Sequence, residues 1–178
     1  LMLDDKILER ARRLIETQFQ ERRKTLPEEI LKIKHEMSFK NSLYSGATLQ
    51  KIHAACAQEV NVRSKIVWDS LNRVHTIFNL PVTKTLSSDM KEEISYHINN
   101  ITKEISDIMY KQMPCPEHDA RRYNLDKEKQ DNIQKYGIEV DLFVDSLSLE
   151  SNDSESVSYG SKVIFISHLA GKKQISSV

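Results

Sequence analysis

The residues best suited to chemistry are two cysteines, each with a histidine three positions away: His53-x-x-Cys56 and Cys115-x-x-His118. Two imidazoles and two thiolates make a tetrahedral structural zinc set, and an i, i+3 spacing puts both ligands of a pair on one helix face. Against this, Cys56 falls on an apolar stripe, where a free cysteine behaves as a small hydrophobe. A hairpin turning at Pro81 also leaves Cys56 and Cys115 about seven residues out of level, roughly 10 Å along a helix. Core packing is therefore the favoured reading, and no metal or cofactor is assigned. Other templates fail. His35-Glu36 lacks the second histidine of H-E-x-x-H, and there is no glycine-rich phosphate loop or G-x-S-x-G elbow. The carboxylates at Glu92-Glu93 and between Asp126 and Asp131 sit on charged helices, where such groups are ordinarily solvated. His75 and His97 border apolar stripes and read as boundary residues rather than bases. No catalytic residue is assigned.

The elements that position these residues are helical. Glycine and proline number four each in 178 residues, charged residues make up 29%, and aromatics 7%; this mix favours long helices with charged outer faces. A first helix is expected over 4–24 (Ile7, Leu8, Ala11, Leu14, Ile15, Phe19). A break at Thr25-Leu26-Pro27 precedes a second over 27–39. Ser45 is a candidate cap for a third helix over 47–79, with Leu49, Ile52, Cys56, Val60, Val67, Leu71, Val74 and Phe78 on one face, Arg63 as its polar interruption, and Trp68 as an anchor near its middle. Ser87 or Ser88 is expected to cap the fourth. There Ile94, Ile98, Ile101, Ile105 and Ile108 follow a 4-3-4-3 spacing, the sharpest periodicity in the chain. That seam serves either an internal bundle or an oligomer contact. Pro114 and Pro116 break the chain before a fifth helix over 119–147, striped by Ile133, Tyr136, Val140, Phe143 and Leu147.

The expected organisation is an all-α bundle of about five amphipathic helices over 1–148, a polar, serine-rich acidic linker over 149–161, and a strand-like segment over 162–178. Lys plus Arg equals Asp plus Glu at 26 each, so the net charge is zero. A dedicated nucleic-acid binder carries a basic excess. The patches Arg10–Arg13 and Arg22–Lys24 keep a nucleic-acid role only as the alternative. No run of about 18 apolar residues offers a membrane span. Two cysteines far apart and the absence of a signal-peptide plan at the N-terminus point to the cytoplasm.

The run Lys162-Val163-Ile164-Phe165-Ile166-Ser167-His168 resembles the opening strand of Toll/interleukin-1 receptor (TIR) domains, a hydrophobic run ending in Phe-Ile-Ser-His. The resemblance implies a flavodoxin-like α/β unit that, in many bacterial defence proteins, hydrolyses NAD through a glutamate on a later helix. That apparatus is not in this chain. The resemblance therefore implies a helical regulatory region joined to a truncated effector, itself inactive on NAD. The functional expectation is a non-enzymatic interaction or oligomerisation module, partnered by itself or another helical protein. The Ile94–Ile108 seam and the Ile133–Leu147 stripe are its candidate surfaces.

Overall fold

Proline 27 is the first place where local sequence and tertiary structure disagree. In the structure, a computed structural model describing residues 5–78, 80–115 and 122–156, helix α1 runs unbroken through it from Asp5 to Phe39. Pro27 has no N–H, so the Arg23 carbonyl loses its helical donor. Packing holds the helix together: Leu26 and Ile30, on either side of the proline, are fully buried. The two helices expected over 4–24 and 27–39 are therefore one, and the described residues form four helices rather than five.

The turn after α1 is a Schellman closure. Ser42 N–H donates to Met37 O (2.8 Å), Asn41 N–H donates to Ser38 O (2.9 Å), and Asn41 adopts φ 51°. Asparagine tolerates that left-handed conformation better than most residues. Helix α2, Gly46–Phe78, begins where expected, with Ser45 Oγ accepting the Thr48 N–H at 3.4 Å. Helix α3, Leu86–Gln112, starts slightly earlier than the expected serine caps, at a Thr85 whose hydroxyl meets Asp89 at 3.1 Å. Helix α4, Asp126–Ser156, begins after Asn124, whose side-chain oxygen accepts the Asp126 N–H at 3.2 Å. It starts later than the expected fifth helix. It also continues through 149–156, the first part of the tract read as linker. The strand expected at Lys162–His168, and the resemblance it carries, lie outside the described residues, as does His118.

The four helices pack in an alternating, up-down order. Arg12, Arg23 and Lys34 on α1 meet Glu93, Glu104 and Gln112 on α3 in ascending order, so these two helices are parallel. His53, Asn61 and His75 on α2 meet Asn124, just before α4, and Asn132 and Phe143 on it, a second parallel pair. α2 packs between α1 and α3, and α4 packs on α3 and α2. One continuous core joins Ala11, Ile15, Phe19, Leu26 and Ile30 to Ile52, Val60 and Val67, to Met90, Ile94, Ile98, Ile105 and Met109, and to Leu125 and Val140. Among the described residues no helix is long and apolar enough to cross a membrane.

Because packing rather than local preference carries α1 through the proline, Pro27→Ala restores a backbone hydrogen bond without disturbing the core. It is expected to raise stability by roughly 1–3 kcal/mol; a urea midpoint unchanged or lowered in the variant contradicts this account.

Candidate interaction surfaces and the buried charge network

The isoleucine seam is the core of the bundle. Ile94, Ile98, Ile101 and Ile105 are buried against the other helices, and Ile108 is half-buried at its edge. The Ile133–Leu147 stripe faces inward too. Tyr136 and Val140 are buried, while Ile133, Phe143 and Leu147 pack partly buried against the core. Both surfaces are engaged within the chain, and neither is presented to a partner in this fold.

The outer face of α4 is different. Ile138, Leu142 and Leu149 are 55%, 61% and 68% exposed. Their 4- and 7-residue spacing aligns them on one side of the helix, with exposed Asp145 completing the heptad pattern. This row is offset from the inward stripe, so α4 carries apolar residues on two faces. α4 also outruns its neighbours. His75 of α2 meets Phe143 edge-on, with ring centroids 5.1 Å apart; α2 ends three residues later, whereas α4 continues for thirteen. The excess is about 15 Å of helix.

The basic patches stay at the surface, but their arginines are engaged by neighbouring side chains. Arg12 grips Glu93 with two bonds, Nε to Oε1 at 2.7 Å and Nη2 to Oε2 at 2.8 Å. Arg13 bonds Glu9, Arg22 bonds Glu59, and Arg23 bonds both Glu16 and Glu104. Arg10 lies over the Phe78 ring at 5.0 Å. Arginines held this way are poorly placed to neutralise phosphates.

The residue that the periodicity left as an interruption, Arg63, is the centre of the molecule's electrostatics. Its side chain has 0% exposure. Nε donates to Glu59 at 2.8 Å and Nη1 to Glu104 at 2.9 Å, and the guanidinium lies 5.5 Å from the Phe19 ring centroid. Nη2 has no hydrogen-bond partner among the described residues. Glu59 is itself buried and is also gripped by Arg22 of α1. The chain Arg22–Glu59–Arg63–Glu104–Arg23–Glu16 thus ties α1, α2 and α3 together through the core. Burial opposes ionisation of Glu104, but hydrogen bonds from Arg23 and Arg63 overcome it and hold the carboxyl below its usual range. Arg63 was detectable in the sequence, since Glu59 precedes it by one helical turn on the same apolar face.

A second, smaller cluster lies nearer the start of α3. Burial again works against the charge on Glu93, yet His97 Nε2 at 3.0 Å and the bidentate Arg12 bring its carboxyl down to about 2. Between α2 and α4 the contacts are aromatic and amide. Trp68, half-buried, stacks on Tyr136 at 6.4 Å and meets Phe143 edge-on at 6.0 Å, and Asn132 donates to Asn61 at 2.7 Å. His75 is buried against Phe143, and burial lowers its pKa. Beside it, Ile7, Ala11, Leu71, Val74 and Met90 help line a cavity of about 10 Å³, room for one water at most.

The sulfur and imidazole groups also have other occupations. Cys56 is fully buried on the core face of α2, and burial pushes its thiol up to about 12, which disfavours the thiolate a metal needs. His53 Nε2 sits 2.9 Å from the Asn124 carbonyl and against the Tyr123 ring. Among the described residues no three His, Cys, Asp or Glu side chains are placed to share a metal ion.

Two outcomes follow from the charges. Glu59→Ala strands a buried guanidinium and is expected to cost about 3–5 kcal/mol, whereas Arg63→Met combined with Glu59→Leu recovers most of that loss. Chemical denaturation of the two variants checks it, and equal destabilisation of both contradicts it. Glu93 contributes stability that is fully present above its ordinary value of 4.5 and is lost as pH falls from there toward about 2. Glu93→Gln should therefore flatten the acid limb of the stability curve, removing roughly 2 kcal/mol of pH dependence after allowance for screening of half-exposed Arg12. An acid limb unchanged in that variant places the sensitivity elsewhere.

Comparison with protein-family models, with curated proteins and with solved structures finds no match to this chain.

Proposed function

We propose that this chain is a non-enzymatic helical interaction module that associates with a second copy of itself or with another helical protein. The docking surface is the outer face of α4, not the isoleucine seam named from periodicity. The observation that carries this reading is the alignment of Ile138, Leu142 and Leu149. Single exposed apolar residues are ordinary on protein surfaces. Three on one face of a helix already packed on its other face are the anchors of a helix-to-helix contact. The overhang of α4 beyond α2 supports it further, since a projecting helix end is accessible to a partner from several sides.

Three helices and the inward stripe of α4 supply the core, so the outer face can change without loss of folding. Leu142→Lys is expected to alter stability by no more than about 0.5 kcal/mol, while Ile98→Ala costs about 2–5 kcal/mol. Sedimentation velocity over a concentration series should show reversible association of the wild-type chain that Leu142→Lys weakens at least fivefold and Leu31→Lys, exposed on α1, leaves unchanged. Association equal in all three proteins removes the α4 face from the account, and a strict monomer at every concentration removes self-association.

A further inference from the structure

The two most exposed large apolar side chains among the described residues lie together, at the turn between α1 and α2. Phe39 is 89% exposed and Tyr44 81%. The turn that carries them is tied down. Besides the Schellman bonds around Asn41, Thr48 Oγ1 donates to Ser42 O at 2.6 Å, and the Ser45 N–H donates to the same carbonyl at 3.0 Å. Aromatic rings on a fixed backbone lose little freedom when covered, which suits them as binding anchors.

Their setting is basic. Residues 31–53 carry Lys32, Lys34, Lys40 and Lys51 against a single acid, Glu36. Lys40 and Lys51 share that carboxylate at 2.6 and 3.0 Å, and Lys34 bonds the neutral Gln112, so the segment keeps a net positive charge. Lys32 is exposed and stands two turns before Phe39 on the same side of α1. The outer face of α4 has the opposite sign. Residues 136–149 hold Glu139, Asp141 and Asp145 and no lysine or arginine. Lys91 answers Asp141, but Asp145, one turn from both Leu142 and Leu149, is exposed.

One chain cannot join these two surfaces itself. Tyr44 precedes α2 by two residues, whereas Phe143, next to Leu142, meets His75 near the other end of that helix. From Gly46 to His75 is about 44 Å along the helix axis.

We propose that the α1–α2 turn is the surface on which α4 of a second copy docks. Phe39 and Tyr44 pack on Ile138, Leu142 and Leu149, and Lys32 and its neighbouring lysines face Asp145 and Glu139. The proposal rests on the α4 interaction face described above and names what covers it. Two unlike patches meet, so the contact is heterologous. Two antiparallel copies side by side make it twice, and copies in series make it once each. Charge complementarity fixes which ends meet, and the contact weakens with salt because its charges lie at the surface.

Sedimentation velocity of two variants, alone and mixed, tests it. Phe39→Asp spoils the turn and Leu142→Lys spoils the face, and each is expected to weaken self-association about fivefold or more, the effect of losing one interface anchor. An equimolar mixture keeps one sound turn and one sound face. It should therefore associate about fivefold or more tightly than either variant alone. Tyr44→Asp, on the other side of the Asn41 turn, should behave as Phe39→Asp does and should also be rescued by Leu142→Lys. If both turn variants associate like wild type while Leu142→Lys does not, the α4 face stands and its contact with the turn is overturned. Two weakened variants that fail to rescue each other, with Tyr44→Asp failing likewise, overturn it as well. If Leu142→Lys associates like wild type, the α4 reading falls and this contact falls with it.

Discussion

A guanidinium with no exposed surface governs this bundle. Removing Arg63 from water costs several kcal/mol, and only well-placed carboxylates offset that cost. Glu59 comes from one turn earlier on α2 and Glu104 from α3, while Arg22 and Arg23 of α1 hold those two carboxylates in turn. The network closes only when all three helices stand at one relative height. A hydrophobic seam alone tolerates slippage, because isoleucine packs on isoleucine at more than one level. A buried charge does not, because a shift of one turn leaves it without its partners. Arg63 therefore specifies register more than it adds stability, the use to which buried polar groups are most credibly put.

The same logic extends along the helices. Arg12, Arg23 and Lys34 lie eleven residues apart on α1, and Glu93 and Glu104 are eleven apart on α3. Eleven residues make three turns at 3.67 residues each, close to the natural pitch, so these side chains stay on one face of a nearly straight helix. They form rungs between two parallel helices, and the burial of Glu93 makes its rung count for more than a surface pair does.

Much of this was legible in the sequence, and the failures have distinct causes. Ile52, Cys56, Val60, Val67, Leu71 and Val74 were assigned to one face of a helix and are all buried there, because a 3.6-residue repeat over so many turns has no competing explanation. The isoleucine row was equally visible, but periodicity shows only that a face is covered. What covers it is a tertiary property, and here it is the rest of the same chain. Pro27 misled because local preference favours a break that the burial of Leu26 and Ile30 overrides. The arginine clusters are a different case. Arg10, Arg12, Arg13, Arg23 and Lys24 stay exposed, yet Arg12, Arg22 and Arg23 also reach carboxylates on other helices, which pairing by sequence neighbourhood does not reveal.

The candidate site was the least legible part, because the outer row on α4 is short and lies on a helix dominated by a stronger pattern. At about 100° per residue Leu142 and Leu149 fall on the side of the helix opposite Val140 and Leu147, but three apolar residues among polar neighbours do not by themselves announce a second apolar face. Packing separates them: Val140 goes inside and Leu142 stays out. A helix serving only the core gains nothing from leucines at 142 and 149, where polar residues would cost no burial and would improve solubility. The acidic composition around them is equally unneeded for the fold, since among the described contacts of these carboxylates only Asp141 reaches another helix. An exposed apolar row that the core does not use is the feature on which the interaction reading of this helix rests.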